Sequence, residues 1–169
     1  EIANKGFVDF LVKLVEQMKK KSRAADPKRA GLGITLCVGE QKKDAYQELY
    51  DAGAHRYLLR IETSNQKLYE KIHPKESSYK NRVKCLENLK KIGYQVGTGV
   101  MIGLPGQTVW DLADDILFFK KIDVDMIGMG PYIIHKDTPM NKYRKEWERG
   151  KSRQLRLALG SLGRARLEL

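Results

Sequence analysis

The chain has 169 residues, 41% hydrophobic and 31% charged, with a formal net charge of +11. That is one soluble domain's worth of chain, and no run of eighteen apolar residues offers a membrane span. The two cysteines, Cys37 and Cys85, lie far apart, which argues against a disulfide framework or a thiolate metal pair and for a reducing cytoplasm.

The pattern along the chain alternates helix and strand. Residues 7–20 are expected to be helical, with Phe7, Leu11, Leu14, Val15 and Met18 on one face. A basic turn with Pro27 leads to a strand at 33–38 that ends in Gly39 and Glu40. A helix at 44–52 should stop at Gly53. A strand at 56–62 follows, then a polar stretch to Ser78 with a short helix at 67–71. The helix at 79–92 turns Val83, Leu86, Leu89 and Ile92 inward and ends at Gly93. Next come a glycine-rich strand at 94–104, an amphipathic helix at 109–121 with Val109, Leu112, Ala113, Ile116 and Leu117 on one face, and a last strand at 125–134. Apolar strands separated by amphipathic helices make an α/β chain whose parallel sheet is covered by helices. Four strands are too few to close a (β/α) barrel, so an open sheet or an arc of a larger barrel is expected, and we favour the arc.

The segment 142–169 differs from this body. It holds nine Lys/Arg against three Asp/Glu, hence +6 of the +11, and glycines interrupt its leucines. We read it as a basic tail, either a docking tail or a disordered, non-native C-terminus. The other lysine runs sit on helix surfaces without interleaved aromatics, so the charge is not read as nucleic-acid binding.

The most informative stretch is 97–108, Gly-Thr-Gly-Val-Met-Ile-Gly-Leu-Pro-Gly-Gln-Thr. Gly97, Gly99, Gly103 and Gly106 weaken a strand unless something approaches its backbone closely. That something is a ligand at the strand's C-terminal end or a tightly packed neighbour. The spacing is neither a dinucleotide fingerprint nor a P-loop. Parallel sheets bind ligands beyond the C-terminal ends of their strands, and the sharpest such end reads Arg60-Ile61-Glu62-Thr63. In a strand, Arg60 and Glu62 share a side, and buried charges there need a ligand or each other. Arg82 begins a helix, where a cation is disfavoured unless an anion is near. Thr35 and Cys37 alternate on one strand face as candidate pocket walls, and Met101 lies in the glycine-rich strand, by default a core filler. The three histidines, His55, His73 and His135, share no metal-ligand spacing.

Three segments together resemble the HydE-type FeFe-hydrogenase maturases. They are 56–63 (Arg-Tyr-Leu-Leu-Arg-Ile-Glu-Thr), the glycine-rich 93–108, and 125–133 (Asp-Met-Ile-Gly-Met-Gly-Pro-Tyr-Ile). That family consists of radical S-adenosylmethionine (SAM) enzymes related to biotin synthase and methylornithine synthase, and the resemblance runs from about residue 7 to 141. It implies a partial TIM-type barrel, about four parallel βα units at 1–141, whose strands are the third to sixth of a radical SAM barrel. It further implies SAM as cofactor, held by Glu62 with Arg60 and Arg82 toward its amino-acid end, and with Gly99, Met101 and Gly103 beside its adenosyl group. Thr35 and Cys37 would face a small-molecule substrate. The family's 4Fe–4S cluster is bound through Cys-x3-Cys-x2-Cys, and the sequence lacks that motif. No metal ligand is therefore assigned in this chain. We expect a piece of a cytoplasmic hydrogenase-maturation enzyme that applies 5′-deoxyadenosyl radical chemistry to a sulfur-containing or iron-bound precursor. Other maturation proteins would be its partners, and the chain alone would be inactive. The alternatives are an enzyme like biotin synthase or methylornithine synthase, and a non-catalytic α/β binding module with a basic docking tail.

Overall fold

The computed structural model describes residues 4–25 and 31–149. The elements run α1 (Lys5–Ala25), β1 (Thr35–Leu36), α2 (Lys43–Asp51), β2 (Arg56–Leu58), α3 (Gln66–Ile72), α4 (Tyr79–Ile92), β3 (Gln95–Ile102), α5 (Val109–Ile122) and β4 (Met126–Pro131). A 3₁₀ turn at Pro139–Tyr143 follows. The four strands form one sheet in the order β1-β2-β3-β4, and the registered pairs are parallel, with Tyr57 opposite Leu36 on one side and Val96 on the other. This is the α/β pattern read from the alternation of apolar strands and amphipathic helices. Among the described residues no helix is long and apolar enough to cross a membrane.

The chain divides into two compact units, Glu1–Leu59 with Asn81–Gly97, and Arg60–Lys80 with Thr98–Leu169. The first unit is built on tyrosines. Tyr46, Tyr57 and Tyr94 are buried, and the Tyr57 ring stands edge-on to both others, at 5.1 and 5.7 Å. Each hydroxyl has a main-chain partner: Tyr57 donates to Gly39 O (2.7 Å), Tyr94 to Tyr46 O (2.8 Å), and Tyr46 accepts from the Gln41 amide (3.0 Å). Burial raises the pKa of all three phenols, which keeps them neutral donors. Gly53 and Gly93 end α2 and α4 at positive φ (109° and 104°), as their positions predict. In α1 the buried residues are Val8, Leu11 and Val15, whereas Phe7, Leu14 and Met18 are exposed. The expected face is therefore displaced, because the helix offers two apolar stripes and only one is covered.

In the second unit the side chain of Asn65 accepts from the Leu68 amide at the start of α3 (3.1 Å). Thr108 and Asp111 make a reciprocal capping box on α5. The buried face of α5 is Asp111, Leu112, Asp115 and Phe119, while Val109 and Leu117 are exposed. Only Leu112 of the expected face is buried. The helix is rotated so that two carboxylates enter the interior, where the loop before α3 supplies donors. Of the expected basic tail, residues 142–149 are described; 144–149 are helical, and the buried Trp147 donates its indole N–H to Tyr132 O (3.0 Å). The rest of that segment lies outside the described residues.

Candidate functional site

The site of the second unit begins where β2 stops. The strand ends at Leu58, four residues short of the expected Glu62. Glu62 then pairs with Val100 as an isolated bridge and adopts a left-handed backbone (φ 65°). Its amide donates to Gly99 O (2.9 Å), and its carbonyl accepts from the Met101 amide (3.0 Å). A left-handed conformation in a residue other than glycine costs on the order of 1–3 kcal/mol and persists only where its surroundings enforce it.

Arg60 and Glu62 do meet, Nε to Oε1 at 3.0 Å, with side chains 34% and 21% exposed. They meet with Glu62 itself in the left-handed conformation and not through simple strand alternation. The guanidinium is also tied to main chain: Nη2 donates to Val100 O (3.0 Å) and Nη1 to Gly128 O (3.4 Å). These bonds make Arg60 the fixture that holds Glu62. The second carboxylate oxygen, Glu62 Oε2, is buried and has no hydrogen-bond partner among the described residues. An ionised carboxylate oxygen left in this way is costly until a donor arrives. An amine or hydroxyl of a bound ligand would satisfy it, so the donor set fits the amino or ribose groups of SAM.

The glycines divide between the two explanations. A Cβ on Gly99 would overlap the Gly128 carbonyl and stand 3.0 Å from Arg60 Nη1. Close approach of β4 and of Arg60 therefore requires this glycine. Gly103 (φ 88°) opens the turn after β3, where its amide donates to Gln107 Oε1 (2.6 Å) while Gln107 Nε2 donates to Met101 O (3.0 Å). Met101 is half-buried and lines a cavity of about 610 Å³ with Leu104, Tyr132, His73 and Lys71. A volume of that size suits a cofactor-sized ligand.

The remaining candidates lie in the first unit. Arg82 finds its anion within the chain: its Nε donates to Glu40 Oε1 (2.6 Å), and Asn81 donates to the other oxygen, Glu40 Oε2. That pair explains a cation at the start of α4. Thr35 and Cys37 are exposed and alternate with the buried Ile34 and Leu36, but the strand covers only Thr35–Leu36 and Cys37 lies just beyond it. The sequence reading named Glu40 only as a strand end and did not single out Gln107, Asp111 or Asp115. The Thr-x-x-Asp spacing at Thr108 is a capping signal for Asp111.

The residues do not fit an iron–sulfur cluster. Among the described residues no three His, Cys, Asp or Glu side chains group as metal ligands, and the two cysteines are one exposed and one buried.

Comparison with known proteins bears on the family and the fold. Over 118 residues the chain is 49% identical to the [FeFe] hydrogenase maturase subunit HydE of Thermotoga maritima, covering 70% of this chain and 34% of that protein. It is 31% identical over 136 residues to biotin synthase of Geobacillus thermodenitrificans, covering 79% and 37%. The crystal structure of methylornithine synthase superposes with a TM-score of 0.68 at 23% identity, covering 78% of this chain and 36% of that one. At that identity the likeness is one of fold, and it makes the four strands an arc of a (β/α) barrel. The chain spans about a third of the length of the curated relatives it matches. Residues 6–119 match the model of the radical SAM superfamily, and the chain belongs to that superfamily.

Proposed function

We propose that this chain is the central, SAM-holding part of a longer radical SAM enzyme of the hydrogenase-maturase type. The observation that carries the reading is Glu62 Oε2, a buried carboxylate oxygen with no partner, fixed by Arg60 at the end of the β2 segment. In this reading Glu62 accepts a hydrogen bond from SAM, Arg60 holds Glu62 in place, and the Gly103 turn with Met101 borders the adenosyl group. The resemblance to the maturases alone supports Arg82 as a cofactor residue and Thr35 and Cys37 as substrate residues. When bound, SAM would supply radical chemistry, with its electron coming from a 4Fe–4S cluster. The cluster's ligands are not among this chain's residues, so the chain alone is proposed to be inactive.

The 49% identity to the HydE maturase supports a role in assembling a hydrogenase metal site, on a sulfur-containing or iron-bound precursor and alongside other maturation proteins. The 31% identity to biotin synthase favours, as the second reading, a related enzyme acting on another small molecule. We further propose a cytoplasmic setting, and a division at residue 141 between the partial barrel and a basic tail.

The test is calorimetric titration of SAM into the intact, cluster-loaded protein. Glu62→Gln is expected to weaken SAM by roughly tenfold or more, since a hydrogen bond to a charged group contributes about 1.5–3 kcal/mol. Wild-type affinity with the fold intact would reduce Arg60 and Glu62 to a structural pair.

A further inference from the structure

The turn that carries Glu62 is gripped from outside, and both holds close on a single residue. Ser64, two positions on, donates its backbone amide to Asp115 Oδ1 on α5 (2.6 Å). Its carbonyl accepts from the Tyr79 hydroxyl at the start of α4 (2.8 Å). The neighbours are fixed as well: Asn65 donates from Nδ2 to Asp111 Oδ1 (2.5 Å), and the Asn65 amide donates to Thr63 Oγ1 (3.2 Å).

Asp115 is costly in its place. It is fully buried and has no ion-pair partner among the described residues; Asp111 and Asp114 of its own helix disfavour its charge, and its charge in turn raises the pKa of Tyr79 on α4. Burial raises its pKa to about 6, against which the Ser64 amide and hydroxyl pull it down. Asp115 Oδ2 and Ser64 Oγ otherwise make no hydrogen bond of ordinary geometry. A leucine here would fill the interior without that penalty. What the carboxylate provides and a leucine does not is an acceptor for the Ser64 amide.

We propose that Asp115 and Tyr79 are positioning residues that clamp the main chain of Ser64 and thereby set the left-handed turn that aims Glu62 Oε2 at the cofactor. Glu62 holds φ at 65°. Its own amide and carbonyl bond to β3, which fixes its place along the sheet. The clamp two residues later fixes the direction in which the chain leaves. Neither residue need touch SAM; each acts through residues 62–64. The proposal rests on the reading of Glu62 as the carboxylate that binds SAM.

The experiment is a double-mutant cycle on SAM affinity in the intact, cluster-loaded protein, with thermal melting as the check on folding. Asp115→Ala is expected to weaken SAM about tenfold in the wild-type background and less than twofold in the Glu62→Gln background. Asp115→Asn keeps an acceptor for the Ser64 amide and should stay within twofold of wild type. Tyr79→Phe removes only the hydroxyl and should weaken SAM about threefold, again with the effect lost in Glu62→Gln. It carries the test where Asp115→Ala does not fold. Full additivity, or unchanged affinity in both Asp115→Ala and Tyr79→Phe while Glu62→Gln weakens binding, would overturn the clamp and leave the reading of Glu62 standing. Unchanged affinity in Glu62→Gln itself would overturn both.

Discussion

The two arginine–glutamate pairs, one formed by residues two apart and one by residues 42 apart, differ in what they leave over. Around Glu40 both carboxylate oxygens are taken, one by Arg82 and one by Asn81. Around Glu62, Arg60 takes Oε1 and nothing among the described residues takes Oε2. The first pair has a regular helix behind it. The second sits on a left-handed residue held by bonds to β3 and by a clamp on Ser64. A completed pair offsets its own desolvation and can be purely structural, whereas an uncompleted one leaves a cost that a ligand removes on binding. On that ground the cofactor reading is placed first on Glu62.

The comparison can be broken most severely through Gly99. Gly99→Val would drive a side chain into the Gly128 carbonyl and displace Arg60. We expect a loss of about 3 kcal/mol or more in chemical denaturation, together with loss of SAM binding. Gly130→Ala, which meets nothing within 4 Å, is the matched control and should change little.

The clamp predicts a pH signature. The folded-state pKa of Asp115, about 6, lies above its ordinary 3.8, so folding takes up a proton in that range. Its contribution is fully present below about pH 4 and is lost as pH rises to about 6. Asp115→Asn should therefore flatten the fall in stability between those values. At pH 7 the variant should match or exceed wild type by at most about 3 kcal/mol, since each pH step between the two pKa values is worth roughly 1.4 kcal/mol. Denaturation curves at pH 4, 5, 6 and 7 measure this. An unchanged slope would mean that Asp115 does not titrate there.

Opening the completed pair gives a smaller effect of a different kind. Arg82→Ala leaves Glu40 with Asn81 alone and should lower stability by about 1–3 kcal/mol. It should weaken SAM less than Glu62→Gln does. A loss of affinity as large as that of Glu62→Gln would give the two arginines equal standing toward the cofactor. The smallest effect is expected from Arg149→Ala, at an exposed position in the basic segment. It should leave SAM affinity within twofold, and a larger change would bring that segment into the site.

The sequence by itself determined the succession of elements, because apolar periodicity, Gly53 and Gly93 are local signals that no distant contact has to supply. It also picked out Arg60, Glu62 and the glycines, since charges at a strand end and glycines inside a strand are anomalies visible without coordinates. The tertiary structure alone decided what each anomaly was for. Gly99 answers to the Gly128 carbonyl 29 positions away, Arg82 to Glu40, and the inward edge of α5 to the Ser64 amide. Apolar patterning also misassigned the faces of α1 and α5. In α1 the apolar residues make two stripes, and only packing chooses between them; in α5 buried donors drew Asp111 and Asp115 inward. The common physical reason is that the cost of a buried charge depends on the partner it finds, and that partner comes from another part of the chain.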